Sequence, residues 1–219
     1  MPSTPRPRPP EQVTLTLPPL TDTGADEVAA DERYDALQLA DADLSGRDLA
    51  RATFAECLFE RVALHETDLR GAHLVESRLS QVDAPVFTAP RSSWRRTVLE
   101  RSRLGAVETY ETTWRSVLVS DCKLGYLNAR SSAWQDVTFR GCHIDELDVS
   151  GARLTRVAFL DCRIGTLRAA GATLVDVDLR GARLQVLDGL AGLAGAWVSE
   201  QQLTELAPLL AEHLKIRVG

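Results

Sequence analysis

The chain has 219 residues, 44% of them hydrophobic and 26% charged, with 25 Lys and Arg against 31 Asp and Glu for a formal net charge of −6. That balance is globular and excludes an overall basic footprint, so direct nucleic-acid binding is not expected. No stretch reaches the roughly 18 uninterrupted apolar residues of a membrane helix, and the start lacks an apolar signal region, so a cytoplasmic protein with no membrane partner is expected.

Residues 1–30 read as an arm and an N-terminal cap. Residues 1–10 hold five prolines together with Arg6 and Arg8, the composition of a flexible arm. Residues 13–17 alternate apolar and polar as a short strand does, which suits a cap on an open coil. Residues 26–39 predict a helical turn before the next segment.

From Leu39 a period of five takes over: Leu44, Leu49, Phe54, Phe59, Leu64, Leu69, Leu74 and Leu79, then, after a weaker patch, Trp94, Leu99, Leu104, Trp114, Val119, Leu124, Trp134 and Phe139. The register holds for 30 positions, from Leu39 to Leu184, with only small residues (Ala84, Ala89, Thr109, Ala129, Ala169) as exceptions. A column of small or apolar residues runs two positions earlier, with Arg47 and Phe87 as misfits. Nine glycines between residues 39 and 188 all fall one or two positions after a central residue, where a chain that turns repeatedly wants them. Five residues are too few for a helical repeat. The pattern asks for two inward residues, then a corner, over residues 31–190.

These pentads, with Ala42-Asp43-Leu44-Ser45-Gly46, Thr67-Asp68-Leu69-Arg70-Gly71 and Val177-Asp178-Leu179-Arg180-Gly181 as the clearest, resemble the pentapeptide-repeat family. The resemblance implies an all-β solenoid, a right-handed quadrilateral β-helix of about seven to eight coils with a short C-terminal α-helical cap. Residues 20 apart then stack at the roughly 4.8 Å spacing of adjacent strands. Trp94, Trp114 and Trp134 form one such column. Leu127, Leu147 and Leu167 fall in the normally small slot of one face while Ala129, Val149 and Ala169 hold the large one, a volume-conserving inversion. The column Gly105, Gly125, Asp145 and Gly165 predicts positive-φ turns. Residues 84–93, with Pro85, Phe87 and Pro90, predict a distorted coil or bulged loop.

Cys122, Cys142 and Cys162 lie 20 apart and read as small buried packing, as does Cys57; the spacing matches no zinc pattern. No metal or cofactor is expected. His65-Glu66 lacks a second histidine in the zinc-protease position, His73 and His143 fall on outward slots, and no phosphate loop or nucleophile elbow is present, so no enzyme is expected. Asp48, Asp68, Glu108, Asp148 and Asp188 share one outward column, and Arg103, Lys123, His143, Arg163 and Arg183 share a neighbouring one.

The period changes in residues 191–219. Ser199-x-x-Gln202 is a capping box, and Leu203, Leu206, Ala207, Leu210 and Leu214 make a helical stripe that Pro208 should kink or divide. The helix caps the last coil and, by the resemblance, is the expected homodimer contact through Leu203, Leu206, Leu210 and Leu214. The resemblance also implies a function. Several family members mimic B-form DNA, bind DNA gyrase or topoisomerase IV, and protect against quinolones or natural toxins. Asp48, Asp68, Glu108 and Asp148 would then stand in for phosphates. The alternative is a general protein-interaction scaffold, since the rod carries 24 acidic and 21 basic side chains over residues 31–190.

Overall fold

The computed structural model describes residues 6–217 of the chain. They form a β-solenoid of about nine turns with parallel strands and one C-terminal helix. The register is the 20-residue step throughout the repeat: Trp94 pairs with Trp114, Trp114 with Trp134 and Trp134 with Leu154. Arg103 likewise pairs with Lys123, and Lys123 with His143. There are more turns than the seven to eight expected because both ends add strand outside the pentads. Thr21–Asp22 pairs with Leu37 and Gln38 below, and Ala196–Trp197 with Val177 and Asp178 above.

Inward side chains fill the rod completely. The three tryptophans stack with ring centroids 4.8 and 4.7 Å apart, and Phe139 stacks on Phe159 at 4.9 Å. The four cysteines are free and buried. Burial pushes the Cys57 thiol up to about 11, and in the stack the hydrogen-bonded Cys142 neighbour and burial push Cys122 and Cys162 up as well.

Three of the four corners of each coil place a residue in the left-handed region. One such column reads Ala36, Glu56, Glu76, Arg96, Ser116, Asp136, Arg156 and Asp176, all near φ +50 to +58°. The fourth corner does so only at Gly46 and Glu66. From residue 83 onward that corner is crossed by continuous six- and seven-residue strands such as Asp83–Thr88 and Lys123–Asn128. The expected positive φ at Gly105, Gly125 and Gly165 is therefore incorrect. These positions need glycine because a Cβ would lie 2.2 Å from the Pro85 carbonyl oxygen, 2.8 Å from that of Gly105 and 2.4 Å from that of Asp145. At these three glycines the backbone of the preceding coil passes too close for a Cβ, although Asp145 in the same column carries a side chain.

The same corner explains Phe87. Residues 84–93 are neither bulged nor distorted: Asp83–Thr88 pairs regularly with Arg103–Glu108. Phe87 is fully buried at the head of the inverted column that continues through Val107, Leu127, Leu147 and Leu167. The large side chain occupies a slot that is large on this face, and Pro85 sits on the edge strand of the six-stranded sheet, where a missing donor is tolerated.

Each end is closed by its own device. At the N-terminal end a 3-10 turn over Ala25–Glu27 leads into Val28, which is 1% exposed, and Tyr34 stacks on Phe54 at 5.3 Å. Arg47, a misfit in the inward column, turns to the Val28 carbonyl at 3.0 Å and to Asp26 at 3.0 Å. At the other end one helix runs Glu200–His213. Pro208 lies inside it and does not divide it into two short helices. Ser199 and Gln202 form the reciprocal capping box, and the Gln202 side-chain amide donates to the carbonyls of Leu179 and Ala182 at 2.8 and 2.7 Å. One residue thus caps the helix and satisfies two acceptors of the last coil.

Residues 1–5 of the proline-rich arm lie outside the described residues. Residues 13–17 form no strand and do not cap the first coil. They lie beside the third coil instead, where Arg78 donates to the Leu15 carbonyl at 3.3 Å.

Candidate interaction surface

Stacking by 20 makes every outward position a column, so the outer surface is a set of parallel stripes. Asp48, Asp68, Thr88, Glu108, Asn128, Asp148, Arg168 and Asp188 do stand in one stripe. Their chemistry is mainly local. Asp48, Asp68 and Asp148 each accept the backbone N–H two residues on, from Ala50, Arg70 and Ser150 at 3.0, 2.9 and 2.9 Å. These are Asx turns, the reason the position favours Asp or Asn. Asp68 also pairs with Arg70 at 2.7 Å, and Glu108 accepts from Asn128 at 2.6 Å. Asp148 is only 6% exposed, whereas Asp48 stands open.

The neighbouring basic stripe, Arg103, Lys123, His143, Arg163 and Arg183, is exposed along its length. His143 meets Asp145 at 3.1 Å; among the described residues the other four have no carboxylate within ion-pair distance. Beside it runs a shallow groove floored by Gly105 and Gly125 and walled by Arg103 and Lys123, of about 320 Å³. Farther along, a polar cleft of about 1000 Å³ opens between the last coils and the terminal helix, bordered by Arg163, Arg180, Arg183 and Glu205. Among the described residues no three His, Cys, Asp or Glu side chains are grouped to hold a metal ion. Among the described residues no helix is long and apolar enough to cross a membrane.

Charge divides along the rod as well as around it. Residues 21–76 contain 14 acidic and 5 basic side chains, a net of −9, and residues 77–190 contain 13 acidic and 16 basic, a net of +3. Averaging over the whole repeat hides this division. In the acidic coils Asp43 points outward, and the Ser45 hydroxyl and N–H hold its carboxyl below the usual carboxylate range. In both halves cross-coil pairs such as Arg61–Asp41 at 2.6 Å and Arg156–Asp136 at 2.6 Å tie one turn to the next.

At the C-terminal end the four expected dimer leucines do not share one environment. Leu206 and Leu210 are half-buried, and Leu206 lines a small cleft with Leu184 and Leu187. Leu203 and Leu214 stand 52% and 65% exposed, joined by Leu209, Ile216 and Val186.

A rod of stacked coils with continuous outward stripes and a filled interior defines a repeat solenoid. Residues 38–81 match the family model for pentapeptide repeats in eight copies, and the same coil continues in register beyond them. No curated protein is significantly similar in sequence. Among solved structures, a trypsin-treated variant of QnrB1, a plasmid-mediated fluoroquinolone resistance protein, is 20% identical with a TM-score of 0.33, covering 90% of this chain and 96% of its own. Full-length QnrB1 is 18% identical with a TM-score of 0.33, over 86% and 94%. HetL, a pentapeptide repeat protein involved in heterocyst differentiation regulation from the cyanobacterium Nostoc sp. strain PCC 7120, is 16% identical with a TM-score of 0.29, over 80% and 94%.

Proposed function

We propose that the protein is a non-enzymatic, cytoplasmic rod that binds a type II topoisomerase, DNA gyrase or topoisomerase IV, by presenting its acidic N-terminal coils to the enzyme's DNA-binding groove. The observation that carries this reading is the net charge of −9 on residues 21–76. A groove that neutralises phosphates with Lys and Arg accepts a stripe of carboxylates on the same electrostatic terms. Asp48 and Asp68 belong to this region together with the outward Asp43. Glu108 and Asp148 sit where the rod is net positive, and Asp148 is buried in its own turn. A homodimer through the exposed part of the terminal helix, Leu203 and Leu214 in particular, would set two such rods end to end.

The test is a gyrase supercoiling assay with purified protein, with and without a quinolone. Inhibition, or rescue from the drug, supports the reading, and replacing Asp43, Asp48 and Asp68 with Ala should weaken it about tenfold or more. Asp148→Ala should act only through stability. No effect in either arm overturns topoisomerase recognition. The unpaired ladder Arg103, Lys123, Arg163 and Arg183 favours a second reading, a scaffold for an acidic protein partner. That reading predicts binding that is lost when the ladder, not the acidic coils, is neutralised.

A further inference from the structure

Residues 6–17 run along the outside of the rod against the direction of the coils. Arg8 donates to Asp176 from its backbone N–H at 3.2 Å and from Nε at 3.0 Å. The Glu11 N–H donates to Asp136 at 3.2 Å, and the Ser116 hydroxyl donates to the Glu11 carboxylate at 3.2 Å. Arg78 closes the series at the Leu15 carbonyl. Between Asp176 and Arg78 lie about five coil spacings, roughly 24 Å. Seven residues of extended chain, from Arg8 to Leu15, cover roughly the same length. Pro7 is buried and Val13, Leu15 and Leu17 are half-buried, while Gln12, Thr14 and Thr16 face solvent.

The wall under this segment is unusual for the outside of a solenoid. Its outward column reads Leu58, Arg78, Val98, Leu118, Thr138 and Ala158, largely apolar. Val98 is 3% exposed and Ala158 5%, although both point away from the core. Val175, also outward but on the far side of the corner, is 44% exposed. The covering segment makes no strand pairing with the rod; its ties are side-chain hydrogen bonds at 3.0 to 3.3 Å, on a surface where neighbouring coils are joined by backbone bonds of about 2.9 Å. Segments held this way belong to the low end of local stability.

We propose that this wall is a docking strip for an extended peptide, and that residues 7–17 fill it in cis as a releasable strap. The ligand it selects is a strand-like segment with a cation placed for Asp176, a main-chain N–H placed for Asp136, and apolar side chains at alternate positions thereafter. The strap's own sequence, Arg8 through Leu17, meets these requirements. While the strap is down the strip is closed to a partner.

The test uses the full chain carrying Val98→Cys as a reporter; the four native thiols are buried and silent to a thiol reagent. In this background the introduced thiol should label slowly. Adding Arg8→Glu and Glu11→Arg, charge reversals on exposed side chains that leave the coils alone, should raise the labelling rate at least tenfold at an unchanged thermal midpoint. A synthetic peptide of residues 6–17 should then slow labelling again in a saturable way, and a scrambled peptide should not. Fast labelling in the singly substituted chain, an unchanged rate after the reversals, or failure of the peptide to restore protection each overturns the proposal.

Discussion

In residues 53–80 the strands are three residues long, the inward positions hold Leu, Phe and small residues, and five acidic against three basic side chains leave the surface slightly net acidic. In residues 93–160 the strands of the same sheet run eight residues, tryptophans stack along the axis, one face has its large and small slots exchanged, and the surface is net basic. The family model matches only residues 38–81. Yet the coil continues through both regions without a slip in register. The consensus is therefore sufficient for a coil and not necessary. What each turn must conserve is two inward side chains per pentad of suitable combined volume, together with a corner the backbone can make.

The largest test of that contrast is Trp114→Ala. It removes the middle of the stack, and the neighbours above and below cannot close the gap because their backbones are fixed by the ladder. A loss of about 3–5 kcal/mol is expected by denaturant unfolding. A loss under about 1 kcal/mol would mean the later coils are loosely filled. Next come two glycines that look alike in sequence. Gly105→Ala drives a Cβ into the Pro85 backbone and should cost about 1–3 kcal/mol. Gly46→Ala meets nothing within 4 Å and should cost about 1 kcal/mol, for its φ of +69° alone. Equal costs would remove the distinction between the two kinds of corner.

The smallest effect depends on pH. The Arg156 guanidinium beside Asp136, with help from the Glu11 N–H, holds that carboxyl below the usual carboxylate range. A carboxyl lowered on folding stabilises above its unfolded value of about 4 and loses that contribution as pH falls through the folded value. Asp136→Asn should lower stability by about 1 kcal/mol at pH 7 and converge with the parent chain in strong acid. A difference that persists at low pH would place its origin in packing rather than charge.

Much of this was legible in the sequence. The five-residue period and the Ser199–Gln202 capping box follow from local pattern, and the 20-residue stacking with the exchanged slots at Leu127, Leu147 and Leu167 follows once the resemblance supplies four pentads per coil. Phe87 looks like a misfit in the sequence because the exchange begins in its own pentad, with no earlier coil to show it. Gly105 and Gly125 look like turn residues in the sequence because a clash between backbones 20 residues apart leaves no trace in local propensity. The strap was hidden for a deeper reason. Arg8 and Asp176 are 168 positions apart, and nothing periodic links an arm to the wall it covers. The apolar outward column was nevertheless present at steps of 20, in Leu58, Val98, Leu118 and Ala158.

In a repeat rod each coil contacts only its neighbours, so a whole turn can be added or removed with every stripe kept in register. Here a segment of fixed reach is fastened to the rod at Asp176, Asp136 and Arg78. Duplicating or deleting one coil between those points would move one fastening by about 4.8 Å and leave the others in place. The strap works as a ruler: it makes the number of turns in this stretch a selectable quantity in a fold that otherwise has no means of counting them.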